Sequence, residues 1–286
     1  MELEGFNMIQ SISAKEIERY LIYLKEQERS KETIEKYKRE LYALLHFLSN
    51  MDVTKEALIL WKSMLQETYS PSGVNGKLVA ANGFFSFLGR HDLRMKLLKI
   101  QREIFSKEEK ELTKQEYVRL VETAKKKGNT RLSLVLQTIC ATGIRVSELQ
   151  YITVEAVRKG RAEVNCKGKH RIIFLPDKLQ KILQQYAKKN KILKGMLFVT
   201  KKGNPLNRSN IWADMKNLCK EAQVSPEKVF PHNLRHLFAR VFYSVQKDIA
   251  KLADILGHSS IETTRIYIME SGKEHRRKLN QMRLVW

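Results

Sequence analysis

The strongest constraint on this chain is the recurrence of apolar residues at helical spacing. Four successive segments between positions 13 and 89 carry it: Ile17, Tyr20, Leu21 and Leu24; then Ile34, Tyr37, Leu41, Leu44 and Leu48; then Leu58, Trp61 and Leu65; then Val74, Leu78, Ala81, Phe84, Phe85 and Leu88. Steps of three and four residues put each set on one face of a helix, and such a face must be buried against another element. Helix starts are marked independently: Ser13 with Glu16 makes a capping box, and Ser30, Thr54 and Ser70-Pro71 stand where a cap is needed. After a lead-in over residues 1–12, the pattern predicts a four-helix bundle over 13–89, large enough to be an independent domain.

Residues 90–112 turn highly charged and offer few core candidates, so a linker is expected there. A second capping box, Thr113 with Glu116, opens a new domain over 113–270. Its most apolar run, LSLVLQTICATGIR, predicts a buried helix halted by Gly143, with Arg145 just beyond and SELQYI resuming helically. Ala162, Val164 and Cys166 alternate with polar residues, and Ile172–Leu175 return after Lys167-Gly168-Lys169, which predicts a β-hairpin. Helices over 177–189 and 208–222 follow, with a short strand over Met196–Thr200 between them. In the stretch Pro231–Tyr267, Leu234, Phe238 and Phe242 recur every four positions and send Arg235 off a neighbouring face. A second helix ends at Gly257, His258 stands at the bend, and Tyr267 lies on a third segment. The tail over 271–286 carries Leu279, Met282, Val285 and Trp286 on a basic background. The fold class is mainly α with a small β-hairpin, in two domains, the second a mixed α/β domain.

Charge narrows the partner. With 53 Lys and Arg against 31 Asp and Glu, the formal charge is +22. Folding needs no such excess, and self-repulsion opposes it, so a polyanion is implied: nucleic acid first, an anionic membrane surface second. Lys36, Lys38 and Arg39 on the second helix, Lys169 on the hairpin and Arg240 are candidate phosphate contacts, although a solvated basic face would read the same way. No run of eighteen apolar residues is present, and the N-terminus lacks the pattern of a signal peptide. Three cysteines without a C-x-x-C pair predict reduced thiols in a cytoplasmic protein. His232 and His236 have the i, i+4 spacing of a helical zinc pair, but Asn233 stands where the metalloprotease pattern has glutamate, so no metal site is expected.

One histidine or tyrosine on a helix is more often a core residue than a catalyst. The ordered set is another matter. ATGIRVSEL, a hairpin lysine, HNLRH, LGHSS and TTRIY, in that order, resemble the tyrosine recombinase family, in particular its Xer-type and transposon-resolvase members. The resemblance implies that the N-terminal bundle is a core-binding (SAM-like) DNA domain and that 113–270 is the catalytic domain. It implies phosphate-clamping roles for Arg145 and Arg235, active-site roles for His232 and His258, and Tyr267 as nucleophile, with Glu148 supporting the site. Lys167 matches the hairpin lysine, but the turn CKGKHR is a residue shorter than the usual form, which leaves Lys169 as an alternative.

The chemistry so implied is cleavage of a DNA phosphodiester through a 3′-phosphotyrosine, strand exchange through a Holliday junction, and religation without metal, ATP or other cofactor. It requires a nucleophile, an acid for the leaving 5′ oxygen and compensation for charge at phosphorus. Tyrosine, lysine and planar guanidinium forks suit these three demands. The implied partners are duplex DNA and a homo-tetramer, or a hetero-tetramer with a second recombinase, with the tail helix docking in trans. Dimer resolution, cointegrate resolution and element integration all fit. Type IB topoisomerases share the same residue types, so DNA relaxation is the nearest alternative. A non-catalytic DNA-binding protein is the more distant one.

Overall fold

The structure is a computed structural model that describes residues 11–49, 51–100, 108–166, 169–200, 202–268 and 272–282. The chain divides into two compact units, Met1–Arg102 and Glu103–Trp286.

The first unit is built on α1 (Ala14–Glu26), α2 (Lys31–Phe47), α3 (Lys55–Thr68) and α4 (Pro71–Phe87). Each starts on a hydroxyl that accepts a backbone N–H: Ser13 from Glu16, Ser30 from Thr33, Thr54 from Ala57 and Ser70 from Gly73. Replacing such a cap by alanine costs about 1 kcal/mol. The apolar stripes meet in one core that includes Ile17, Leu41, Leu44, Leu58, Trp61, Leu78, Phe84 and Phe85. Part of the charged stretch after residue 90 belongs to this unit. The amide of Asn82 pairs with both backbone groups of Met95 (2.7 and 2.8 Å) and that of Asn75 with both of Leu98 (2.8 and 2.9 Å), while Leu93 and Met95 are buried. Two asparagines seven residues apart on α4 thus bind an extended segment as a neighbouring strand would.

The second unit opens on α5 (Lys114–Lys126), started by the Thr113–Glu116 capping box, and α6 (Thr130–Thr142). Leu112, just before α5, is fully buried in this unit's core. A 3-10 turn (Val146–Tyr151) leads to α7 (Val154–Lys159), and the antiparallel hairpin β1 (Arg161–Cys166) and β2 (Lys169–Phe174) follows, in the register Cys166↔Lys169 to Arg161↔Phe174. Next come α8 (Asp177–Lys189), α9 (Arg208–Lys216), α10 (Cys219–Ala222), α11 (Pro231–Gln246), α12 (Ile249–Leu256), α13 (Ile261–Arg265) and α14 (Gly272–Gln281). α6 is the hub: buried on nearly all sides, it packs against α5 and α11. Two expectations are corrected here. Met196–Thr200 makes only isolated bridges, Thr153↔Met196 and Val199↔Pro205, because among the described residues no neighbouring strand runs alongside it. The helix over 208–222 is broken at Asn217–Leu218 into α9 and α10.

Gly143 ends α6 at φ +65°, and a Cβ there would stand 2.4 Å from Phe238 on α11. Gly257 ends α12 at φ +63°, where a Cβ would stand 2.8 Å from Cδ of Arg171. Both glycines combine a left-handed cap with a close approach that a side chain would block. Both C-termini, so shaped, point carbonyl groups at one arginine.

Candidate active site

That arginine is Arg235, 1% exposed on α11. Sequence periodicity places it beside the apolar face; in the structure it is wholly interior. Its Nη1 donates to the carbonyl of Gly143 (2.6 Å), and its Nη2 donates to that of Leu256 (2.7 Å) and to Nε2 of His258 (2.9 Å). The carbonyl ends of α6 and α12 carry partial negative charge, which offsets the cost of burying a cation. Three of the five N–H groups are thereby engaged. Nε is buried and has no partner among the described residues. Burial, and then the charge of Arg145, lower the Arg235 pKa to about 10, still protonated at neutral pH.

His258 is held from both sides. Because Nε2 accepts from Arg235, the ring proton is assigned to Nδ1, which faces Oγ1 of buried Thr264 at 2.9 Å. Burial, followed by the charges of Arg235, Arg145 and Arg171, pushes its pKa down to about 4. Tyr267, 6% exposed, comes next: its hydroxyl lies 3.1 Å from Nε2 of His232. Burial, and then Arg235, Arg208 and Arg145, lower the pKa of His232, so a neutral imidazole faces the phenol as acceptor. The Tyr267 ring packs on His236 with centroids 4.1 Å apart and also touches His232 and His258, at 5.5 and 5.2 Å. His236, one turn after His232, is driven down to about 3 by burial and then by His232 and nearby arginines. The tyrosine therefore sits among three uncharged imidazoles. His236 has no place in the sequence-derived catalytic set; its i, i+4 spacing from His232 was the available signal.

Arg145 caps the 3-10 turn, with its side chain 42% exposed. Glu148, 2% exposed, accepts from the Arg145 backbone N–H (2.7 Å), from Arg145 Nη1 (3.0 Å) and from Arg171 Nη2. Arg171 on β2 donates from Nη1 to the carbonyl of Ile255 at 2.6 Å, and Arg145 Nη2 to that of Gly257 at 3.3 Å. One carboxylate thus ties the turn, the hairpin and the end of α12 together. Sequence patterning gave no sign of Arg171, which alternates along a strand as any solvent-facing residue would. A cleft of about 490 Å³ opens beside Arg145, Arg235, His232 and Arg208. Among the described residues no group of three His, Cys, Asp or Glu is placed to hold a metal ion.

The remaining expected site residues fare differently. Lys167 lies outside the described residues, and Lys169 opens β2 opposite Cys166. Arg240 pairs through Nη1 with Glu111 and donates from Nη2 to the carbonyl of Leu112 at 2.5 Å, which binds α11 to the segment entering α5. On α2, Lys38 pairs with Glu18 at 3.1 Å and Arg39 with Glu40 at 3.0 Å, while Lys36 is exposed beside Gly76. Glu40 is 6% exposed and also holds Lys77 of α4, a buried ion pair that periodicity does not announce.

The family model described as the Phage integrase family matches residues 110–274, more than half of the chain. The chain belongs to the phage integrase family, the tyrosine recombinases. The model for the phage integrase N-terminal SAM-like domain matches residues 17–92 of the same integrase-family chain. Among curated relatives, tyrosine recombinase XerA of Pyrococcus furiosus is 28% identical over 280 residues, 94% of each chain. Tyrosine recombinase XerD of Staphylococcus aureus is 29% identical over 287 residues, covering 93% of this chain and 97% of its own. The fold is shared with XerH bound to palindromic difH substrate in a post-cleavage complex (TM-score 0.73, 20% identity, 94% of this chain and 85% of that one). It is also shared with a lambda integrase tetramer bound to a Holliday junction (TM-score 0.74, 18% identity, 93% and 80%).

Proposed function

We propose that this integrase-family protein is a site-specific DNA recombinase that cuts and rejoins duplex DNA through Tyr267, with strand exchange through a Holliday junction. The observation that carries the assignment of residues is the cluster itself: the Tyr267 hydroxyl on neutral His232, Arg235 bonded to His258, and Arg145 and Arg235 lining one cleft with His232. Two guanidiniums beside the phenol suit the non-bridging oxygens of a phosphate.

In this reading Tyr267 gives its proton to Nε2 of neutral His232, and the phenolate attacks phosphorus. The bond to the 5′ oxygen breaks as the phosphotyrosyl bond to the 3′ phosphate forms. The leaving oxygen takes a proton from the hairpin lysine, Lys167 or Lys169. Arg145 and Arg235 balance the charge that develops on the phosphate, and loss of one such donor typically slows reaction about 10²- to 10³-fold. Energy stored in the phosphotyrosine drives religation. Glu148 orients Arg145 and touches no substrate.

The assembly is a tetramer on DNA, with α14 and the residues after it docking on a neighbouring copy. Leu279 and Met282 are exposed, 52% and 56%, and so are not folded into their own unit. A groove of about 380 Å³ lined by Tyr117, Phe238, Val241 and Val245 is the apolar surface that would receive such side chains. Among the described residues no helix is long and apolar enough to cross a membrane. The protein acts in the cytoplasm on nucleoid DNA, in resolution of dimers or cointegrates or in element integration. Tyr267→Phe is expected to bind a nicked suicide duplex yet form no covalent adduct. An adduct that survives the substitution overturns the assignment, and relaxation of a plasmid lacking any special site favours the topoisomerase reading.

A further inference from the structure

The cleft beside Arg145 is unusual in its charge. Arg145, Arg208, His232 and Arg235 line it, the other lining residues are apolar or uncharged polar, and no carboxylate is among them. The cleft on the other side of Arg145, about 820 Å³, mixes Arg145, Arg171 and His258 with Glu148 and Asp254. Arg145 and Arg235 make hydrogen bonds to protein groups; Arg208 does not. It is exposed and, among the described residues, has no hydrogen-bond or ion-pair partner. Its backbone is held in place: it opens α9, whose cap Asn207 accepts from the N–H of Asn210, and α9 packs on α11, so that Arg208 and His232 line one cleft. The positive end of the α9 dipole adds to the field in the cleft. Its charge is felt by His232, whose pKa it helps to lower.

An unpaired guanidinium in an acid-free cleft has been brought together with two others against their mutual repulsion. Only an anion repays that arrangement. The volume, about 490 Å³, is in the range of pockets that hold a drug-sized ligand, so more than one phosphate fits. We propose that Arg208 is a second phosphate subsite of the recombination site, holding the phosphodiester next to the scissile one and so fixing the strand's register over Tyr267. The proposal rests on the reading of the site given above, since it takes the scissile phosphate to lie at Arg145 and Arg235. Arg208 forms no bond to the reacting phosphorus; it is a positioning residue.

The test is a methylphosphonate scan on the full chain carrying Tyr267→Phe, which binds without cutting. Duplexes containing the site the protein selects are made with one neutral methylphosphonate at each backbone position near the cleavage point, and affinity is measured with and without Arg208→Ala. One position is expected to weaken the Arg208 protein about tenfold or more, as for a charge-assisted hydrogen bond. At that position Arg208→Ala shows no further loss, its affinity for unmodified DNA being already lower by the same factor. Its log–log salt slope should fall by about 0.9, and Arg208→Lys should recover part of both. Its melting temperature should be unchanged, because the side chain is exposed and unpartnered. If the scan of Arg208→Ala matches that of Arg208 at every position, the subsite does not exist. Should Tyr267→Phe still form adduct, the assignment of the nucleophile fails, while this binding comparison still decides the role of Arg208.

Discussion

Replacing Glu148 by glutamine removes one negative charge and one acceptor at almost constant shape, and the structure sets how much that should cost. The carboxylate is 3% exposed and is shared by Arg145 and Arg171, so the amide must turn its NH2 toward one of two guanidiniums. Breaking a buried ion pair by removing one partner costs about 3–5 kcal/mol. The Arg145 side chain is 42% exposed, which lets water recover part of its charge and favours the lower end, about 3 kcal/mol. In a unit of this size each kcal/mol moves the melting temperature by about 2–4 °C, so Glu148→Gln should melt about 6–12 °C lower. Adduct formation on a nicked duplex should fall on the order of a hundredfold, because Arg145 loses its orientation. The assay pairs thermal melting with single-turnover adduct formation for Glu148→Gln, Arg171→Gln and the double variant. A cycle energy of at least about 1 kcal/mol is expected between the two sites. Melting within about 2 °C of the parent, with adduct formation unchanged, would refute the view that this carboxylate holds the two arginines in place.

Three further expectations follow from the site. His236→Ala should slow adduct formation about two- to tenfold, the worth of one aromatic contact, and His236→Phe should restore most of it; equal loss in both variants would mean the ring stacking is irrelevant. His258 is held neutral at about 4 against an ordinary 6.5, so the unfolded chain binds a proton that the native chain refuses. Stability should be flat above pH 6.5 and fall as the pH drops toward 4, and His258→Gln should lessen that slope in melting experiments; an unaltered slope would contradict the assignment. Deleting Leu279–Trp286 should abolish tetramers on DNA in sizing experiments while leaving single-site binding intact, and persistence of tetramers would exclude docking through the tail.

Much of the fold was legible because it rests on local rules. Two capping boxes, the helical stripes and the hairpin alternation each act within a few residues, and Ser13, Thr113, Leu41, Val164 and Gly143 behave as those rules require. The residues that escaped act across the chain. Arg171 and Glu40 are defined by partners on other elements, and periodicity sees only that they are charged. Arg240 shows the same reach: a basic residue on a basic protein suggests an outside anion, and its partner Glu111 lies 129 positions earlier, beyond what local spacing displays. His236 was weighed only as a metal ligand, since its spacing from His232 reveals nothing of the ring stacked on it. Met196–Thr200 has strand composition but, among the described residues, only the isolated bridges to Thr153 and Pro205.

Arg235 anchors two helix ends, through Gly143 and Leu256, and folding cannot finish without seating it. The guanidinium and the imidazole of His258 are therefore in position before any DNA arrives, and neither has to be recruited by the substrate. Regulation of such an enzyme has little purchase on these two groups. A cell that needs to time strand exchange has to act elsewhere than on these two groups, for instance on how the duplex is presented to them.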